Sequence, residues 1–123
     1  MRIVVSGSRA WPHYAKKQIW DILDEFNSTT FLDFVGVGDA AGVDRFVYEW
    51  LYEVAHLPRK VFYADWDRYK KGAGAVRNRE MLKDVNPDFL VAFLIPREDC
   101  RGTWDCIEAA QELGIRVEPF RLK

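Results

Sequence analysis

Arg2-Ile3-Val4-Val5-Ser6-Gly7 is a β-branched run that stops at a glycine. A strand with one wet face alternates apolar and polar residues. A run apolar on both faces reads instead as a strand buried on both sides, which belongs to a parallel sheet covered by helices. Outward from it, Ile19, Ile22, Leu23 and Phe26 recur at helical spacing between Pro12 and Phe26, with Pro12 suited to a first helical turn. Phe31 to Val37 is expected as the second strand, and Val43, Phe46, Val47, Trp50, Leu51 and Val54 form a second helical stripe. Arg59 to Tyr63 is the third strand. Residues 64–75 read as the only long irregular segment, a length that compact domains reserve for function or disorder. Val76 to Asp84 reads as a short helix closed by Asn86-Pro87, Phe89 to Ile95 as an apolar strand, Thr103 to Leu113 as a helix ended by Gly114, and Ile115 to Glu118 as the last strand. This alternation predicts the α/β class: a three-layer Rossmann-like sandwich with a five-stranded, mainly parallel sheet, in a single domain over residues 1–123.

Composition narrows the function. The chain has 123 residues, 49% of them hydrophobic, with 18 Lys+Arg against 19 Asp+Glu. That near-neutral balance lacks the basic excess behind sequence-independent nucleic-acid binding, so nucleic acid is not an expected partner, although a local basic patch stays open. The longest apolar run, Phe89 to Pro96, falls far short of the roughly 20 residues of a membrane helix, so no membrane partner is expected. Cys100 and Cys106 follow no signal-like segment, which predicts a cytoplasmic protein with reduced thiols. Cys106 reads as a small packing residue and Cys100 as a loop thiol open to solvent. The histidines and cysteines lack zinc spacing and no motif implies a cofactor, so none is expected and no metal. Phe46, Tyr48, Trp50 and Tyr52 exceed what one buried stripe needs, which suggests a homo-oligomer.

In open parallel sheets ligands bind beyond the carboxyl ends of the strands, so the loops after each strand are the place to look. They carry Gly7-Ser8-Arg9-Ala10-Trp11, the run Gly36 to Asp44, Asp65-Trp66 with Gly72 and Gly74 followed by Arg77-Asn78-Arg79-Glu80, and Arg101-Gly102-Thr103-Trp104-Asp105. Glycine lets a backbone approach an anion, guanidinium groups fork onto phosphate oxygens, and Trp11, Trp66 and Trp104 offer faces for a base or sugar. Convergence of these types on one edge points to a nucleotide. Each also has a plainer reading: glycines after strands make tight turns, Asp44 complements the dipole of its own helix, Lys70-Lys71 is a solvated pair, and Trp20 and Trp50 are core. Neither Gly-x-Gly-x-x-Gly nor Gly-Lys-Ser/Thr is present, so the chain is neither a standard dinucleotide dehydrogenase nor a P-loop enzyme.

Gly7-Ser8-Arg9-x-Trp11, Gly38-x-Ala40-x-Gly42-x-Asp44, Ala64-Asp65-Trp66 with Gly72-x-Gly74, Arg77-Asn78-x-x-Met81 and Gly102-Thr103 together resemble the YspA-like branch of the SLOG superfamily, over nearly the whole chain. Those are small Rossmann-like proteins of bacteria and phage genomes, regarded as nucleotide binders and related to the LOG (lysine decarboxylase-like) phosphoribohydrolases. The resemblance implies binding of a nucleotide or nucleotide derivative by Gly7, Ser8, Arg9, Trp11, Gly38, Gly42, Asp44, Asp65, Trp66, Gly74, Arg77, Asn78, Gly102 and Thr103, as a sensor or binding module. In the sensor reading the 64–75 segment orders on the ligand and faces a protein partner. In LOG enzymes an Arg four residues before a Met, and a Glu after a Gly-Thr turn, cleave an N-glycosidic bond. Resemblance places Arg77 at the first position; at the second this sequence has Asp105 and Cys106, and the Pro-Gly-Gly lead-in is missing. The alternative function is therefore a nucleotide N-glycosidase releasing free base, with Arg77, Asp105 and Glu80 as its catalytic candidates. A third class is an adaptor for protein or single-stranded nucleic acid, stacking bases on exposed aromatics.

Overall fold

In a computed structural model, which describes residues 1–96 and 100–123, the apolar runs form one sheet. Its strands are β1 (Arg2–Gly7), β2 (Phe34–Gly38), β3 (Arg59–Phe62), β4 (Phe89–Leu94) and β5 (Arg116–Arg121), in the order β3-β2-β1-β4-β5 with every neighbouring pair parallel. Between them run α1 (Lys16–Thr30), α2 (Val43–Trp50), the short α3 (Trp66–Tyr69), α4 (Ala73–Val85) and α5 (Arg101–Glu112). Strand side chains alternate between two helix-covered faces. Ile3 and Val5 meet Ile19, Leu23, Val47 and Trp50 of α1 and α2, whereas Val4, Leu90 and Ala92 meet Met81, Leu82 and Cys106 of α4 and α5. Each fully buried aliphatic side chain contributes about 1.5–3 kcal/mol, so these two apolar layers hold the sheet. Both cysteines are free thiols. No helix among the described residues is long and apolar enough to cross a membrane.

Several element boundaries differ from the sequence reading, the following for local reasons. The first helix runs to Thr30, because the hydroxyls of Ser28, Thr29 and Thr30 donate to carbonyls of Glu25 and Phe26 one turn back. Phe31, expected to open the second strand, instead caps that helix at φ 53° and is exposed. Segment 64–75 is largely helical rather than irregular: the Asp65 carboxylate accepts the Arg68 N–H at 3.1 Å and starts α3, Lys70 breaks the run at φ 53°, and α4 begins at Ala73. The second helix, as the apolar stripe to Val54 predicts, continues past Trp50, through a wide turn over Leu51–Ala55, closed by the His56 N–H donating to the Leu51 carbonyl at 2.9 Å.

The chain steps outward from β1 to β2 and β3, then returns to pair β4 with the other side of β1. At that reversal the connections leave β1 and β4 toward opposite faces, opening a crevice at the carboxyl ends of the strands. The loop after β2 closes one wall: the Val43 N–H donates to the Ser8 carbonyl at 3.1 Å, and Gly42 sits at φ 73° where a side chain would meet the Ser8 and Arg9 carbonyls. Gly72, by contrast, has open space around it. Gly42→Ala is therefore expected to lower the unfolding free energy by about 2–4 kcal/mol, and Gly72→Ala to change it by less than about 0.5 kcal/mol, in urea denaturation.

Candidate functional site

The crevice is a cavity of about 550 Å³, walled by the loop after β1 (Ser6 to Ala10), by Ala40 and Asp44, by Trp66 and Lys71, by the start of α4 (Gly74, Ala75, Arg77, Asn78), and by the start of α5 with Asp105. Four loops of the sheet edge thus meet around one space.

Its floor is organised by a buried guanidinium. Arg77 is only 7% exposed; its Nη1 donates to Asp39 Oδ1 at 2.6 Å and its Nε to Asn78 Oδ1 at 2.8 Å. Asp39 Oδ1 also accepts the Ala64 N–H at 3.3 Å, so one carboxylate ties the end of β2 to the end of β3 and to α4. Asp44 lies on the other side, where its Oδ2 accepts the Ala40 N–H at 3.1 Å. Burial pushes the Asp44 carboxyl up to about 6, and the nearby Arg77 charge opposes that rise. Gly38 makes the arrangement possible, since a Cβ there would lie 2.6 Å from Arg77 Nη1 and 2.7 Å from Asp44 Oδ2. Arg77 is therefore answered by protein carboxylates and braces the loops, in place of the phosphate fork that the sequence offered.

The rim differs. Arg9 lies over the Trp66 ring at 5.7 Å, and neither Arg9 nor Lys71 has a carboxylate partner among the described residues. Arg79 is held by Asp105 at 3.2 Å. The amino end of α5 faces the cavity; the Cys100 side chain that precedes it caps no N–H, and its first turn carries no acidic residue. Thr103 is only 3% exposed, yet its hydroxyl has no hydrogen-bond partner among the described residues, so it opens onto the cavity. Asn78 Nδ2 donates to the Gly102 carbonyl at 3.4 Å and sets the spacing of that wall.

Of the residues singled out from sequence, Gly7, Ser8, Arg9, Asp44, Trp66, Gly74, Arg77, Asn78, Gly102, Thr103 and Asp105 line this cavity. The others lie elsewhere. Trp11 is core: its indole N–H donates to the Ala15 carbonyl at 2.9 Å and its ring stands edge-on to Phe93, so it has no face to offer a ligand. Gly38 and Gly42 serve close packing, and Asp65 is spent on capping α3. Glu80 is exposed on α4, outside the cavity wall. Cys100 does line the cavity but is buried, not an open thiol, with Sγ 3.8 Å from the Ile95 carbonyl. Burial pushes the Cys106 thiol up to about 12, which leaves it unreactive. Sequence reasoning passed over Asp39, Ser6 and the site position of Lys71; the placement of Asp39 directly after the second strand was the one signal for it. Among the described residues no three His, Cys, Asp or Glu side chains gather as a metal site would require.

No protein-family model matches the chain. Gene 61 protein of Mycobacterium phage D29 is 32% identical over 124 aligned positions, covering 97% of this chain and 95% of that protein. The chain belongs to the family of that gene 61 protein. Among solved structures, UDP-GlcNAc 2-epimerase from Neisseria meningitidis bound to UDP-GlcNAc is similar in fold, with a TM-score of 0.58 and 20% identity over 98% of this chain. The chain spans 32% of that enzyme's length.

The raised Asp44 carboxyl has a consequence for stability. The native state holds the Asp44 proton up to about pH 6, whereas the ordinary value is 3.8. Its contribution is fully present below the ordinary value and lost as pH rises through about 6. Asp44→Asn, which cannot ionise, is expected to gain on the wild type between pH 4 and pH 6.5, by on the order of 3 kcal/mol across that window. Urea denaturation at several pH values checks this; parallel pH curves for the two proteins would contradict it.

Proposed function

We propose that this member of the gene 61 protein family is a nucleotide-binding module, holding the phosphate and ribose of a nucleotide or nucleotide-derived ligand between the ends of β1 and β4. The observation that carries the reading is the Thr103 hydroxyl, which has no hydrogen-bond partner among the described residues and opens onto the cavity at the amino end of α5, with Arg9 on the facing loop. Helix amino termini present free N–H groups and a positive dipole end, which suit phosphate oxygens. The Thr103 hydroxyl supplies one more donor and Arg9 a guanidinium from the facing loop. Asp44 on the floor is the acceptor for a ribose hydroxyl, and the half-exposed Trp66 is the face for the base. Membership of the YspA-like branch of the SLOG superfamily is part of the same proposal, supported by the motifs around Arg9, Arg77 and Thr103. The epimerase named for UDP-GlcNAc lends the ligand class support through its similar fold. A cytoplasmic setting in a phage host accords with the relative from phage D29.

A second reading, hydrolysis of the N-glycosidic bond, is favoured by one feature. Asp44 and Asp105 line the same cavity in unlike surroundings, the first buried with its carboxyl raised to about 6, the second held by Arg79. Two carboxyls in unlike surroundings on one cavity are the minimum for acid and base roles.

Equilibrium dialysis against a mixture of nucleotides, with both compartments read by mass spectrometry, separates the two readings. Intact retention of one compound is the expected result, with affinity lowered about tenfold by either Arg9→Ala or Thr103→Val. Retention unchanged in both variants would place the ligand elsewhere. Release of free base that Asp105→Asn abolishes would make the hydrolase reading the correct one.

A further inference from the structure

A second cavity, about 520 Å³, opens on the other side of the turn after β2, between α2 and the end of β3. Ala40 and Asp44 line both cavities, so this one turn is the wall between them. Its character is unlike that of the first. Tyr48 and Tyr63 present exposed rings and Val61 adds an apolar surface; Tyr48 is propped by Tyr52, whose ring stacks on it at 6.4 Å. On its rim Glu49 is held by Lys16 at 3.3 Å and by Arg45 at 3.6 Å. Asp39, which also lines it, spends Oδ1 on Arg77 and the Ala64 N–H, while Oδ2 has no hydrogen-bond partner among the described residues. Two aromatic faces with one free carboxylate oxygen suit a ring that carries hydroxyl or amino donors, and do not suit a phosphate.

We propose that this second cavity is the subsite for the far ring of a two-part ligand, so that the chain selects nucleotides bearing a second sugar or nucleoside beyond the phosphate over mononucleotides. The inference rests on the nucleotide reading of the first cavity and extends it across the Ala40 turn. The two cavities lie on either side of the loop after β2, sharing Ala40 and Asp44, so a ligand seated in the first has only this turn to cross to reach the second.

Titration calorimetry with matched pairs tests it: AMP with ADP-ribose, and UMP with UDP-glucose, on the wild type, on Arg9→Ala and on the double variant Tyr48→Ala/Tyr63→Ala. Both tyrosines are exposed, so the double variant should retain the fold, which circular dichroism checks. In the wild type the two-part member of at least one pair should bind about tenfold tighter than its mononucleotide, and in the tyrosine variant that ratio should fall toward one. Arg9→Ala should weaken both members and leave the ratio standing. A wild-type ratio near one, or a ratio that survives loss of both tyrosines, overturns the second subsite while the first cavity stands. Failure of every member to bind overturns the first-cavity reading, and this inference with it.

Discussion

The ion pair between the buried Arg77 guanidinium and the more exposed Asp39 carboxylate, beside Asp44, is the interaction on which this edge of the sheet depends. It joins α4 to the end of β2 and, through Asp39, to the end of β3, at a place where a lone charge would be costly. The pair exists because Gly38 has no side chain, and the loop beside it is drawn onto β1 because Gly42 has none. Removing the Asp39 carboxylate leaves the buried Arg77 charge without its ion-pair partner, so the network tolerates little variation at Asp39 or at the glycines that admit it.

That bracing divides the arginines by task. Arg77 and Arg79 are answered by carboxylates of the chain itself, which leaves Arg9, stacked on Trp66, and Lys71 as rim cations without a carboxylate partner among the described residues. Arg9 stands on one wall of the cavity and the start of α5 on another. A phosphate between them meets donors from both sides without displacing an existing ion pair. The buried Asp44 beneath adds an acceptor whose own charge is discouraged by its surroundings, which lessens repulsion toward an anionic ligand.

Much of this architecture is legible in the sequence because burial on both faces leaves a simple mark: Ile3, Val4 and Val5, or Leu90, Val91 and Ala92, are apolar without alternation, and only a helix-covered parallel sheet asks for that. The loops after the strands could be located for the same reason. What each loop residue does was less legible, because it depends on neighbours distant in the chain. Trp11 follows a strand as a ligand-facing aromatic would, yet Phe93 and the Ala15 carbonyl hold it in the core. The glycines after the second strand look like an anion cradle, but their use is close packing against Arg77, Asp44 and the Ser8–Arg9 backbone. The boundary at Phe31 was set by hydroxyls bonding back along the helix, a local effect that an apolar pattern does not record.

The central claim, that the ligand lies between the end of β1 and the start of α5, is most directly tested by amide and indole chemical shifts of the isotopically labelled protein with and without a bound nucleotide. The account predicts that the largest changes fall on Ser8 to Ala10, on Gly102 to Asp105 and on the Trp66 indole. Changes confined to the outer face of α1 or to the β5 edge, with those positions unmoved, would contradict it.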